Sequence, residues 1–519
     1  MMRRALIPAF LFALTFGALP ATAVAAAGPE SAVPRGPNDE FHWFGAGFGH
    51  GLGMSQWGAY GLAQDGWGAS KILRHYYTGT KVGTDGAPPK TLRIGLVQGR
   101  GSVRLEAEAG PVEIRLGDPK TGEVVATIPD GETWRVAATG TDYRIIDANG
   151  DVVDRVGGPS SPISAVFETS GARVRVPEAG HTYNRGWIEF GLYDCGANDC
   201  VERLILVVQP QGYLYGLGEV PSSWPMSALK AQAIAARTYA FTKAAKSQHR
   251  SVCDCALYAS SYDQVYAGWD KEGGLDGDRW VSAVDQTEDE VVKDGGESIQ
   301  AFYMSSSGGY TENNENVWGG TPIDYLRGVC DPGDYTSANP SAIWEVVTTA
   351  SEVTHGLDLG IGTVTRFTDV LRGVSGRIVS VTVQGEGGQA QVTGGALRSA
   401  LGLRDDRVWI NTNRLVTGAI RERYDALGCS PGLPTSRQIS VAGGLRQVFE
   451  DGTIYHSDPT GAYELHGPVL VRYEDEGGPG GSLGFPTTGV RTLDNGNLRA
   501  RFEHGVITCR ADGSSCSVG

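Results

Sequence analysis

Residues 225–240, PMSALKAQAIAARTYA, decide the fold. Pro225 suits a first helical turn, Ser222 or Ser223 is placed to cap it, and Leu229, Ala233, Ala236 and Ala240 recur at helical spacing. The stripe they form is made mostly of small side chains, so this helix can press its backbone close against a sheet. A central helix is expected here.

The segments around it read as strands. Before it, Leu92-Arg93-Ile94-Gly95-Leu96-Val97, Val103-Arg104-Leu105 and Val112-Glu113-Ile114-Arg115-Leu116 alternate between glycine-rich turns. Leu204 to Val208 is a continuous apolar run, suited to a strand covered on both faces. After the helix, residues 257–344 alternate polar loops with short strands. Residues 364–410 return to β, with a turn at Gly385-Glu386-Gly387-Gly388 and a helix over 396–401. A count of 75 glycines fits many turns and short strands. The fold class expected is α+β and β-rich, with mixed sheets around an alanine-rich helix.

Beyond Val416 an internal repeat appears. Arg423-Tyr424 matches Arg472-Tyr473, Leu433-Pro434-Thr435 matches Phe485-Pro486-Thr487, and residues 449–454 match 502–507. The offset of roughly 50 residues lies in the range of modular arrays. Near the other end, residues 41–82 form a glycine- and aromatic-rich module, with a short helix over 69–77 that Ser70 is placed to cap. The expected boundaries are 1–27 signal peptide, 28–40 linker, 41–415 main domain opened by the 41–82 module, and 416–519 repeat domain.

Arg3 and Arg4 precede a mostly apolar run from Ala5 to Leu19, and small residues at Ala23-Val24-Ala25 and Ala25-Ala26-Ala27 offer a signal-peptidase site. The run is short for a membrane span, and no later stretch approaches spanning length. A secreted protein is expected, extracellular or cell-wall associated. Its formal charge of −15 disfavours nucleic acid and anionic lipid as partners. A wall polymer would be recognised by shape, stacking and hydrogen bonds instead. Eight cysteines in an exported chain favour disulfides over redox chemistry. Cys195 with Cys200 and Cys509 with Cys516 lie close in sequence, whereas the connectivity of Cys253, Cys255, Cys330 and Cys429 is not readable. His249 beside Cys253 and Cys255 leaves a zinc conceivable, although Cys-x-Cys is not a common finger spacing.

Three constellations carry chemistry. Gly47 to Ala59 alternates glycines with His50, Ser55, Gln56 and Trp57, which offer hydrogen bonds and a flat face for a sugar ring. Glu219 sits in Tyr213-Leu214-Tyr215-Gly216-Leu217-Gly218-Glu219-Val220-Pro221, hemmed by apolar residues. Burial there would raise its pKa as a general acid needs, while the nearby helix N-terminus would lower it. The third is Tyr303 to Glu312, a hydroxyl-rich loop containing Ser305 and Ser306. A serine hydrolase is disfavoured, because no Gly-x-Ser-x-Gly elbow sits on a strand-to-helix turn.

Together these segments resemble the SpoIID/LytB family. Gly49 to Ala59 and Ile72 to Thr80 match its "GHGxGMSQxGA" and "ILxxYYxGT" stretches. Ala228 to Ala240, Gln264 to Gly268 and Ser305 to Glu312 match "ALKAQAxAARTYA", "QVYxG" and "SSSGGxTE". Two departures stand out. Only Leu217 and Gly218 separate Gly216 from Glu219, a shorter spacer than the family's. The "GHGxGMSQ" segment also opens the domain here, whereas it closes it in the sporulation proteins, so His50 to Trp57 is expected to fold back beside Glu219. The Leu483-Gly484-Phe485-Pro486 stretch resembles LGFP repeats, which implies attachment to cell-wall polysaccharide, and the Gly432-Leu433-Pro434 copy reads as degenerate.

The resemblance implies a peptidoglycan lytic transglycosylase acting on MurNAc–GlcNAc strands, of a kind used in sporulation, without metal or cofactor. Glu219 would be its one acid/base, with glycan held by His50, Ser55, Gln56, Trp57, Ser305 and Ser306. Glu312 is the first candidate for a second carboxylate. The alternative implied is a non-catalytic wall-binding activator of an amidase.

Overall fold

The computed structural model describes residues 32–168, 171–195 and 200–519, so the expected signal peptide at 1–27 lies outside the described residues. The fold is α+β and β-rich, with the alanine-rich helix at its centre.

That helix runs from Met226 to Lys246. Leu229, Ala233, Ala236 and Ala240 face one core, while Ala231, Ile234 and Ala235 face another. It is buried on two sides, which small side chains permit because they let both neighbours approach the backbone closely. Neither Ser222 nor Ser223 caps it: Pro225 is the N-cap, with extended backbone and no side-chain hydrogen bond. The Ala69–Tyr76 helix likewise starts from Gly68 rather than from a Ser70 cap. Ser223 lies two residues before the Pro225 cap, and Ser70 lies two residues after the Gly68 cap, inside the helix, so neither serine stands at the capping position.

The first core lies between two sheets. A seven-stranded sheet runs Leu257–Tyr258, Leu92–Arg100, Val201–Val208, Trp187–Tyr193, Ile163–Val166, Val112–Leu116, Glu123–Ile128, antiparallel except at its first pair. As expected, Leu204 to Val208 is buried throughout in an interior strand. A six-stranded antiparallel sheet contributes Val103, Leu105, Val136, Ile145 and Val174 to the same core. The second core packs the helix against Met54, Leu62, Ile72, Leu73 and Tyr76 of the glycine-rich module.

A further core forms around Val364–Arg372, Ile378–Gly385 and Gly388–Thr393, covered by the Ala350–Leu357 and Gly394–Leu401 helices. The opening strand Glu40–Gly45 pairs antiparallel with Trp344–Thr349 on one edge and Val408–Ile410 on the other. This closes the chain's early segment onto its later ones, the closure that the altered motif order requires. The expected linker is more ordered than a linker need be: Val33–Pro34 pairs with Phe367 and Arg366.

The C-terminal part contains two like units, each a helix followed by a four-stranded sheet: Gly418–Ala426 with strands from Ile439 to Leu465, then Gly467–Asp475 with strands from Arg491 to Val518. Tyr424 stacks on Phe449 in the first and Tyr473 on Phe502 in the second, at 5.1 and 4.6 Å between centroids. Leu433 N–H donates to Glu450, and Phe485 N–H to Glu503, at 2.8 and 2.6 Å. The copy that looks degenerate in sequence keeps the same internal framework. The four disulfides are Cys195–Cys200, Cys253–Cys255, Cys330–Cys429 and Cys509–Cys516. The zinc alternative is corrected: Cys253 and Cys255 bond each other, and His249 Nδ1 pairs with Asp254 at 2.6 Å. Cys330–Cys429 ties the first repeat to the loops behind the glycine-rich module. Among the described residues, no helix is long and apolar enough to cross a membrane.

Candidate active site

Glu219 follows the short Pro210–Tyr215 helix, on a loop stapled to residues 264–268. Gly218 N–H donates to the Val265 carbonyl at 2.9 Å, and Ala267 N–H to the Gly216 carbonyl at 2.8 Å. A side chain at Gly216 would meet the Tyr266 ring at 2.5 Å, so the two segments touch only because that position has none. The staple ends on the carboxylate itself, where Val265 N–H donates to Glu219 Oε1 at 2.7 Å.

Oε1 also accepts from the Tyr303 hydroxyl at 3.0 Å. That hydroxyl receives Gln264 Nε2 at 2.8 Å, and Gln264 Oε1 receives the Tyr213 hydroxyl at 2.9 Å. The direction of this chain follows from the donors available. The Gln264 amide fills the Tyr303 oxygen, so the single Tyr303 proton goes to Glu219. Two donors therefore occupy Oε1. Oε2 has one longer hydrogen bond, from Gln56 Nε2 at 3.2 Å, and is the oxygen left able to carry a proton. Burial raises the pKa of this half-buried carboxyl, while the Val265, Tyr303 and Gln56 donors pull it back down.

Glu219 lines a groove of about 510 Å³, together with Gln56, His50, Ser305, Asp263 and Arg398. The exposed aromatic faces of Phe48, Tyr262 and Trp318 stand along it. Asp263 is a fixed counter-ion: Lys243 and Arg250 pair with it at 2.8 and 2.7 Å. Burial alone would raise its pKa, but those cations and the Tyr258 N–H hold it below the usual carboxylate range. Glu219 is thus the groove's one carboxyl without a cationic partner among the described residues. Burial, with a contribution from Arg377, lowers the pKa of His50 to about 4, so its ring is neutral at neutral pH. Its Nδ1 accepts the Leu52 N–H at 3.1 Å, and the ring lies 5.1 Å from Trp318.

The glycine-rich module reaches this groove through Met54–Ser55, which pairs in parallel with Tyr303–Met304. Gly53 has φ +69°, and a side chain there would collide with the Phe302 carbonyl. The expectation that His50 to Trp57 lies beside Glu219 is met by the Gln56–Glu219 contact.

Of the candidate site residues, His50, Gln56 and Ser305 line the groove with Glu219. The others lie off the groove lining. Ser55 and Ser306 are buried and donate to Asp334 at 2.6 and 2.8 Å. Asp334 also accepts the Ser307 and Gly308 N–H groups, while neighbouring Asp331 accepts the Tyr76 and Ser307 hydroxyls. A side chain at Gly58 would collide with the Tyr76 hydroxyl and Asp331. Glu312 is buried on the Ser375 hydroxyl (2.5 Å) and several backbone N–H groups, so it is not a second groove carboxylate. Trp57 packs at a tilt against Trp224 at 4.8 Å and edge-to-face with Tyr60 at 5.3 Å, away from the groove lining. Sequence reasoning missed Phe48, which sits within the glycine-rich stretch itself, and Tyr262, Trp318 and Arg398, which lie on a loop, the Asn314–Trp318 helix and the Gly394–Leu401 helix with no shared spacing.

Residues 202–293 match the family model described as stage II sporulation protein, SpoIID, and residues 432–481 match the LGFP repeat. The LGFP match begins at the copy expected to be degenerate, and stops short of Leu483. Over 142 residues the chain is 36% identical to an amidase enhancer of Bacillus subtilis, covering 27% of this chain and 17% of that protein. Over 151 residues it is 30% identical to stage II sporulation protein D of the same organism, covering 27% of this chain and 43% of that protein. An uncharacterised protein of Brachyspira hyodysenteriae is 37% identical over 113 residues, 21% of this chain and 28% of its own length. The chain therefore spans less than half the length of each of these relatives. The resemblance read from the motifs is matched on both counts: a SpoIID segment that carries Glu219, and LGFP repeat sequence behind it.

Proposed function

We propose that this protein is a secreted, wall-associated lytic transglycosylase that cuts peptidoglycan glycan strands with Glu219 as its single acid/base. The similarity to SpoIID proteins and to an amidase enhancer supports a cell-wall-related role. The observation that carries the finer reading is the state of the Glu219 carboxyl: pKa raised by burial, Oε1 filled by two donors, Oε2 left to hold one proton in an aromatic-walled groove.

Glycoside hydrolysis by water ordinarily uses two carboxylates. A groove with one unpaired carboxyl suits a reaction that brings its own nucleophile. Protonated Glu219 gives its proton to the glycosidic oxygen leaving C1 of N-acetylmuramic acid. The resulting carboxylate then takes the proton of that sugar's C6 hydroxyl as O6 bonds to C1, closing a 1,6-anhydro ring. The hydroxyl is already tethered, so effective molarity replaces a positioned water. Phe48, Tyr262 and Trp318 offer flat faces to successive sugar rings, and the LGFP repeats hold the protein on wall polysaccharide.

The test is digestion of purified glycan strands with mass analysis of the ends. Anhydro ends are expected, falling by about a thousandfold or more in Glu219→Gln, the upper range for loss of a general acid. Reducing ends would identify a hydrolase. The name of the Bacillus subtilis relative favours one rival, a non-catalytic activator; its outcome is no cleavage by either form and stimulation of an added amidase by both.

A further inference from the structure

We infer that Arg398 makes the groove a reader of carboxylate: it binds a free acid carried on a sugar of the strand, and so discriminates acidic from neutralised glycan. This rests on the proposal that the groove holds glycan. Among the described residues, Arg398 is the only arginine or lysine lining the groove, in a chain whose formal charge is −15. It comes from the Gly394–Leu401 helix, beyond the residues matched to the SpoIID model, so it is an addition from a different part of the chain.

Its headgroup is available. Nε donates to the Leu403 carbonyl at 3.4 Å, and no ion pair forms at Arg398 among the described residues. The other cations near the groove are committed, Lys243 and Arg250 to Asp263. Arg377 is likewise committed, to Asp405. Asp406, within range of the Arg398 charge, pairs with Arg377 at 3.5 Å. His50, also within range of Arg398, stays neutral and cannot share the role. The Arg398 helix is fixed at its start by Thr393, whose hydroxyl accepts the Ala396 N–H at 3.1 Å, and at its end by Gly402 with φ +62°. A half-buried guanidinium on a fixed helix is a poor surface charge and a good receptor: a carboxylate can take two parallel N–H donors from it.

The chemistry commits to one ligand class, a carboxylate ether-linked or otherwise attached to a sugar ring. N-acetylmuramic acid carries such a group, and chitin-type strands do not. The probe is a pair of peptide-free glycan strands, one native and one with its carboxyls converted to methylamides. Binding is measured in the Glu219→Gln background, where cleavage does not intervene. The native strand is expected to bind more tightly than the amidated one. Arg398→Gln should weaken native-strand binding by about tenfold to a hundredfold, the range for a charge-assisted hydrogen bond, and leave amidated-strand binding unchanged. Arg398→Lys should keep part of the preference, since it keeps charge but not the fork. Equal losses on both strands in Arg398→Gln, or no preference in the parent, would overturn the inference. Neither result touches the Glu219 reading, which the anhydro product decides separately. Carboxylate preference without cleavage would keep Arg398 and sink the transglycosylase.

Discussion

Two sets of buried carboxyls stand within one fold and do different work. In the groove, burial raises the Glu219 pKa and one of its oxygens is left with spare capacity. Behind it, burial raises Asp331 to about 7, and it raises Asp334 as well, yet Asp334 accepts two hydroxyls and two backbone N–H groups, and Asp331 accepts the Tyr76 and Ser307 hydroxyls in a sealed interior. A perturbed carboxyl is thus not by itself a catalytic sign. What separates the two is whether the carboxyl opens onto a space a substrate can fill: Glu219 lines the groove, and Asp331 and Asp334 do not. The sealed pair joins Ser55 of the glycine-rich module to Ser306 and Ser307, and so holds the module against the groove.

The sharpest way to break this comparison is Asp334→Ala. It strands the Ser55 and Ser306 hydroxyls and two backbone N–H groups in a dry interior, each an unmade hydrogen bond. A loss of about 3 kcal/mol or more in chemical denaturation is expected, with cleavage per folded molecule retained. In Glu219→Gln the stability should hold and the cleavage go. If Asp334→Ala keeps full stability and abolishes cleavage, the pair is part of the chemistry and the distinction fails.

A smaller effect sharpens the groove half. Tyr303→Phe removes one donor to Glu219 Oε1 and leaves the Val265 N–H. That donor stabilises the ionised form, so its loss raises the Glu219 pKa further. Cleavage needs the protonated acid, and it falls as pH rises past that pKa. The alkaline limb of kcat/KM should therefore move to higher pH, with about a tenfold drop in kcat from looser positioning. An unmoved limb, or one moved to lower pH, would mean that the Tyr303 proton is not held by Glu219.

Much of this was legible in the sequence wherever periodicity speaks. The 225–240 stripe, the strand at Leu204 to Val208 and the 385–388 turn are local patterns, and the structure has them. Glu219 could be singled out because apolar neighbours and glycines surround it within four residues. The serines misled for a physical reason: a hydroxyl-rich glycine loop looks the same whether it meets water or a buried carboxylate. The partner that decides it, Asp334, lies 279 residues from Ser55 in the chain. Arg398, Tyr262 and Trp318 were invisible for the same cause, since the groove walls are brought together by tertiary packing alone. The repeat was read from identities, which rank the second copy higher; its framework rests on stacking and a glutamate cap that both copies keep.

The third kind of buried carboxyl tests the lesson at its smallest scale. Glu202 sits on the interior strand Val201–Val208, and neither of its oxygens has a hydrogen-bond partner. Burial, helped by the charge of Glu178, raises its pKa to about 9. The folded chain therefore holds a proton that the unfolded chain gives up near the ordinary value of 4.5. Stability is whole below that value, falls as pH rises, and reaches its full penalty above about 9. Glu202→Gln fills the same space without a titrating proton. Between pH 5 and pH 9 the melting temperature of the parent should fall more than that of Glu202→Gln, while the two melt alike at pH 4. Parallel melting curves across that range would mean Glu202 is solvated or paired, and the contrast between a satisfied and an unsatisfied buried carboxyl would fall.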